Sequence, residues 1–290
     1  MRLATLFLAL LICAAAAQAQ IQLELKFKRL QYVAYEPVIA TVKITNLAGR
    51  NVDLHDAEGQ RWFSFEVTGA ENRLVAPNAP APEPPLRIEA GQTVTRQINL
   101  TPLYPVHDFG TYHVRANIYF ADLSKFFYSQ ARVFQVTDAR AIWQRTVGIP
   151  EGVAGAGETR TYSLLSNRFP DHTSLYVRVE DRNSGVVYNT YSLGHVIAFD
   201  EPQAELDRAN QLHVLYCAAP RTWGYAHVGL NGELLKHSTF LQLKSQPRLR
   251  RTADGLIAVH GGAIDQPISA SSRNAAPKLS ERPPHVPQDN

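Results

Sequence analysis

Apolar and polar side chains alternate with period two along most of this chain. Ile21, Leu23, Leu25 and Phe27 alternate with Gln22, Glu24, Lys26 and Lys28, the mark of a half-buried strand. Residues 37–45 are rich in β-branched side chains and close at Asn46, with Gly49 in the turn that follows, and residues 62–67 form another short strand. Val94, Ile98 and Leu100 share one face, with Thr95, Gln97 and Asn99 on the other. Tyr112, Val114, Ala116, Ile118 and Phe120 repeat the pattern against His113, Arg115, Asn117 and Tyr119, and residues 126–136 supply the last strand of this half. About seven strands without a convincing helix over residues 20–137 predict a β-sandwich.

The alternation returns in a second, antiparallel β domain over residues 161–264. Leu175, Val177 and Val179 alternate with Tyr176, Arg178 and Glu180. Residues 212–217 are apolar on both faces, which predicts a central strand. Residues 223–230 and 233–241 flank Asn231-Gly232, a dipeptide that supplies two positive-φ positions to a tight hairpin turn. Residues 138–160 read as the linker: 138–147 fit a short helical turn and 148–157 are glycine-rich. The proline-dense stretch 75–85 predicts an extended loop, since proline has no amide to give a central strand.

The two ends differ from the rest. Residues 1–19 have the form of a secretory signal: Arg2, an apolar run from 3 to 17 broken by Thr5, and the small-x-small site Ala17-Gln18-Ala19. No later segment is long and apolar enough to span a membrane. Residues 265–290 hold Pro267, Pro277, Pro283, Pro284 and Pro287 among polar residues, the composition of a disordered tail.

Composition narrows the function classes. With 29 basic and 26 acidic side chains the formal charge is +3, so nucleic-acid binding driven by net charge is not expected. Removal of the leader would take Cys13 with it and leave Cys217 alone, so an exported chain would rely on its core rather than on a disulfide.

Asp108-Phe109-Gly110-Thr111-Tyr112 opens a strand as D-x-G-x-Y and resembles the tyrosine corner of immunoglobulin-like domains. The resemblance implies that the tyrosine hydroxyl bonds to the upstream backbone, with Gly110 permitting the approach. Val114 stands where disulfide-bearing members carry a cysteine. A fold is implied, and no activity. The strand-turn rhythm of residues 206–262 resembles β-propeller blades. A closed propeller needs at least four blades of about 40 residues, so a compact meander, blade-like or a second sandwich, is expected instead.

The sequence carries no G-x-S-x-G elbow, phosphate-cradling Gly-Lys loop, H-E-x-x-H or paired C-x-x-C, and no catalytic residue is predicted. His213 and Cys217 share a strand face but stand about 13 Å apart. His227 meets His213 only if the register pairs them, and no third donor is evident, so neither a metal nor a cofactor is expected. Cys217, in an apolar strand, reads as structural. Asp200, Glu201, Glu205 and Asp207 read as a solvated acidic loop, and Arg248, Arg250 and Arg251 form the densest basic cluster. Candidate binding residues are aromatic: Trp223, Tyr225 and Tyr119, the last turned outward by the alternation. These features favour an exported, non-catalytic binding or scaffolding protein of the periplasm or extracellular space, with a protein or glycan as partner. The alternative is a carbohydrate-binding or carbohydrate-active protein using aromatic faces and the loop 200–207.

Overall fold

The computed structural model describes residues 20–69, 72–78, 83–197 and 200–265. The leader-like residues 1–19, part of the proline-dense stretch and the residues beyond 265 lie outside the described residues. The fold is all-β. The described residues of the first half form ten strands: β1 (Ile21–Phe27), β2 (Gln31–Val33), β3 (Ile39–Asn46), β4 (Val52–Leu54), β5 (Phe63–Thr68), β6 (Leu86–Ile88), β7 (Thr93–Asn99), β8 (Gly110–Phe120), β9 (Lys125–Tyr128) and β10 (Arg132–Thr137). One sheet runs β1-β3-β7, a second β2-β10-β8-β5 with β9 beside β8, and β4-β6 is a short pair. The pairs are antiparallel except β2 with β10. Leu23, Leu25, Val42 and Ile44 from one sheet and Val114, Ile118 and Phe134 from the other share one buried core. The polar alternates face out, as a two-layer β structure requires.

Tyr112 makes the bond its motif implies: its hydroxyl donates to the Asp108 carbonyl at 3.0 Å and its ring stacks on Phe134. Gly110 sits at φ +142°, where a side chain is disfavoured. Residues 126–136, expected as one strand, break at Ser129. There the serine Oγ accepts the Ala116 N–H at 3.0 Å in place of a ladder partner. At the end of β3, Asn46 is buried and ties three segments together. Its amide nitrogen faces the carbonyls of Arg50, Ile88 and Glu89 at 2.7, 2.9 and 3.0 Å, and its oxygen accepts the Ala48 N–H at 2.9 Å. Asn46→Ala would orphan these groups and should cost about 2–3 kcal/mol. A urea midpoint within error of wild type would contradict this.

The second half contains β11 (Arg140–Gly148), β12 (Thr159–Arg168), β13 (Thr173–Asp181), β14 (Val186–His195), β15 (Gln203–Leu206), β16 (Leu212–Ala219), β17 (Thr222–Val228), β18 (Leu234–Leu241), β19 (Arg248–Arg251), β20 (Ile257–His260) and β21 (Ala263–Asp265). The sheets are β11-β12-β13-β14, β15-β16-β17-β18-β21 and β19-β20. Tyr162, Leu164, Leu175 and Val177 pack against Leu212, Val214, Tyr216, Ala226 and Val228. The opposite face of β16 and β17 is covered too: Leu215, Cys217, Trp223 and Tyr225 cluster with Phe240, against Leu249 and Val259 of the β19–β20 hairpin. Burial on both sides is why residues 212–217 are apolar on both faces, His213 excepted.

Three expectations for this half need correction. Residues 140–148 are a strand, not a linker or helical turn. A bulge between Ala141 and Trp143 shifts the register and breaks the period-two signal, while Trp143 and Val147 still pack on the core. The β17–β18 hairpin does not turn on two positive-φ residues. Among the described residues of that loop only Gly232 has positive φ, +82°, and the chain reverses through a Gly232 N–H to Gly229 carbonyl bond of 3.0 Å. Glu205 lies in strand β15 opposite His213, not in a loop.

The halves meet through the turn that follows β2. The Glu36 N–H donates to the Val33 carbonyl at 2.9 Å, with Tyr35 at φ +67°. This turn docks on β13. Arg178 donates to the Ala34 carbonyl at 2.7 Å and lies 5.3 Å from the centre of the Tyr35 ring. Arg29 donates to the Tyr176 hydroxyl at 3.2 Å and pairs with buried Glu36, whose other oxygen accepts the Val33 N–H at 3.1 Å. Val33, Ala139, Leu165 and Tyr176 form a small buried cluster across the junction.

Candidate functional site

The densest gathering of chemistry-bearing side chains lies where β15 turns into β16. The reversal is built by Asp207. Its backbone N–H donates to the Gln211 carbonyl at 3.0 Å. Its Oδ1 accepts the N–H groups of Ala209 and Gln211, each at 2.9 Å. Asn210 takes φ +59°, which asparagine tolerates better than most residues. With one carboxylate oxygen holding the turn, Oδ2 is left to face the sheet, 3.2 Å from His213 Nε2 and 3.9 Å from His227 Nε2.

The histidines come together because β16 and β17 pair His213 with His227 directly. Their rings stack with centroids 4.2 Å apart and planes 15° from parallel. Tyr225, two residues along β17 on the same face, places its hydroxyl 2.7 Å from His213 Nδ1, and Gln211 Oε1 lies 2.8 Å from His227 Nε2. With the His213 proton on Nε2 toward the carboxylate, Nδ1 accepts the Tyr225 hydroxyl proton. Burial pushes His213 below its ordinary range, with Arg251 adding to the effect and Asp207 opposing it. Burial, then the neighbouring His213, lowers His227 as well. Burial raises Tyr225, which keeps its proton. These shifts favour two uncharged imidazoles and a neutral phenol around the Asp207 side chain. Asp207, His213 and His227 offer three donor atoms within 4.8 Å of one another, the geometry of a metal-ligand set.

The aromatic candidates lie under cover. Trp223 is buried in the outer cluster, its indole N–H 3.3 Å from Gln242 Oε1. Tyr225 is buried beside His213. Tyr119, expected to point outward, is buried because the end of β8 is covered on both faces. Its ring packs on Phe126 and its hydroxyl bonds to Glu58 from the turn before β5. None of the three offers a ring face for a sugar. Asn231 Oδ1 accepts from Arg160 Nε at 3.2 Å, so the hairpin tip is tied to β12.

Cys217 is a buried free thiol whose Sγ donates to the Ala219 carbonyl at 3.3 Å, and burial pushes it up, away from thiolate character. The four carboxylates read as one acidic loop go to three places. Asp200 and Glu201 line a cavity of about 430 Å³ with Arg140, Trp143 and Thr173, Glu205 stands 3.7 Å from Arg251, and Asp207 turns in to the histidines. Asp207 is the donor that sequence reasoning missed. The available signal was an Asp-x-x-Asn-Gln turn leading into a strand with histidine two residues later.

No helix among the described residues is long and apolar enough to cross a membrane. No protein-family model matches the sequence, and no curated protein matches it. Among solved structures the chain is similar to Spo0M, the sporulation control protein from Bacillus subtilis, at 10% identity and a TM-score of 0.29, over 60% of this chain and 91% of that one.

Proposed function

We propose that the chain is an exported, non-catalytic binding protein whose first half is an immunoglobulin-like sandwich and whose partner is a protein. The sandwich reading is supported by the sheet orders β1-β3-β7 and β2-β10-β8-β5, the parallel β2–β10 pair and the tyrosine-corner bond. Export is supported by the leader-like residues 1–19.

The observation that carries the binding reading is strand β11. It is a nine-residue strand that among the described residues pairs only with β12, begins right after the buried junction residue Ala139, and is exposed except at Trp143 and Val147. An edge of this length, fixed at its base, offers a row of backbone donors and acceptors to an incoming strand. The glycan alternative loses its proposed stacking faces, because Trp223, Tyr225 and Tyr119 are covered.

Two measurements test the reading. N-terminal sequencing of the chain recovered outside the cytoplasm should begin at Gln20, and a retained leader removes the export half. A photo-crosslinking residue at Ile142, on β11, should yield one discrete protein adduct that the same residue at Lys43, on β3, does not. No adduct at Ile142, together with binding on a glycan array, would replace the proposal by the carbohydrate reading.

A further inference from the structure

We propose that Asp207, His213 and His227 bind one zinc-class divalent ion per chain, through Asp207 Oδ2 and one imidazole nitrogen from each histidine. The site stands on the second half's own geometry and does not depend on export or on a partner.

Distance is the first argument. With metal–donor bonds of about 2.0–2.1 Å, neighbouring donors of a tetrahedral ion stand about 3.3–3.4 Å apart. His213 Nε2 and Asp207 Oδ2 are 3.2 Å apart, so that edge is already formed. His227 Nε2 is 3.9 Å from the same oxygen and all three donors lie within 4.8 Å of one another, so closing the site asks for a shift of His227, the more exposed of the two rings, toward the ion.

Preorganisation is the second. Asp207 is held by its own turn through Oδ1, which leaves Oδ2 free to ligate. With the ion on Nε2 the His213 proton sits on Nδ1, which donates to the Tyr225 hydroxyl oxygen 2.7 Å away, the outer hydrogen bond that orients metal-binding histidines. His227 is fixed opposite it by strand register. Gln211, the hydrogen-bond partner of His227 Nε2, is the group the ion would displace.

Donor chemistry then selects the ion. Two imidazoles and one carboxylate suit zinc, copper, nickel or cobalt, whereas calcium and magnesium call for oxygen donors. Three protein donors leave a fourth position for water. Bound there, the ion would clamp the β15–β16 turn to β17.

The experiment uses the full mature chain, stripped with a chelator and titrated with Zn(II) against a competing chelator. Co(II) serves as the spectroscopic reporter. The expected result is one equivalent per chain, intense visible bands of four-coordinate cobalt, and at least about 100-fold weaker binding in Asp207→Asn and in His227→Gln, both close to the native shapes. The rival is the surface stack of His172 on His195 beside Asp171. His172→Ala/His195→Ala should bind as wild type does. A readout that needs no variant is protection of the His227 peptide from diethylpyrocarbonate by Zn(II), scored by mass spectrometry against the His172 and His195 peptides. The proposal fails if no ion binds, if affinity follows His172 and His195, or if Zn(II) leaves His227 unprotected.

Discussion

Glu36→Ala is expected to destabilise the protein by about 3 kcal/mol and to loosen the junction between its halves. The Glu36 carboxylate is buried, pairs with Arg29 through one oxygen and accepts the Val33 N–H through the other. Truncation leaves a guanidinium without its counter-charge and an amide without an acceptor. Breaking a buried pair from one side costs about 3–5 kcal/mol. The low end applies because the Arg29 side chain is 35% exposed, so water recovers part of its solvation. The amide loss adds to this, since the turn that carries Glu36 also presents Ala34 and Tyr35 to Arg178. Urea unfolding gives the stability, and limited proteolysis near residue 139 reports the junction. A loss below about 1 kcal/mol would mean that the pair is solvated and the junction is held elsewhere.

The same residue sets a pH signature. Burial pushes the Glu36 carboxyl above its ordinary 4.5, against the opposing pull of Arg29 and the Val33 N–H. Between 4.5 and that raised value the folded chain holds more protons at this site than the unfolded chain. Stability attributable to Glu36 therefore falls as pH rises through that window and is flat above it. In Glu36→Gln the site is silent. The difference in urea midpoint, wild type minus variant, should decline on going up from pH 4.5 and then level off. A flat difference would show that Glu36 ionises as it does in water.

The β architecture was legible because burial on one face forces period two, and both halves show it over long runs. The bond from the Tyr112 hydroxyl to the Asp108 carbonyl was legible because so local a contact needs only the spacing D-x-G-x-Y. Strand β11 was not, because its bulge takes the apolar residues out of phase and leaves one half-covered face. Tyr119 was misplaced because alternation speaks for a sheet face and not for the turn that covers it from residue 58. The cluster at Asp207 was half legible. Register pairing of His213 with His227 could be foreseen as an option, but the third donor depends on which carboxylate oxygen the turn consumes. The junction was beyond reach for a simpler reason: Arg29 and Tyr176 are 147 positions apart, and no periodicity joins them.

Gly224→Ala should be the most damaging small substitution in the second half, at about 3–4 kcal/mol. The ordinary expectation has the opposite sign, since glycine inside a strand costs about 0.5–1 kcal/mol relative to alanine. Here the register sets Gly224 opposite Tyr216, and the tyrosine ring lies across the glycine. A Cβ at 224 would stand 2.3 Å from Cζ, 2.5 Å from the hydroxyl oxygen and 2.8 Å from Cε1. The ring cannot swing aside cheaply. Tyr216 is buried in the core between the two sheets, and its hydroxyl donates to the Leu193 carbonyl and lies 3.2 Å from His237 Nε2. Relief of the clash therefore means overpacking, at about 1–3 kcal/mol, together with loss of a buried hydrogen bond. Both terms outweigh the propensity gain. The cause is isolated by a double-mutant cycle. In a Tyr216→Ala background the same change at 224 should be close to neutral, giving a coupling of about 3 kcal/mol. If Gly224→Ala is neutral in the wild type, or equally costly in both backgrounds, the aromatic cover over the glycine is not what specifies residue 224.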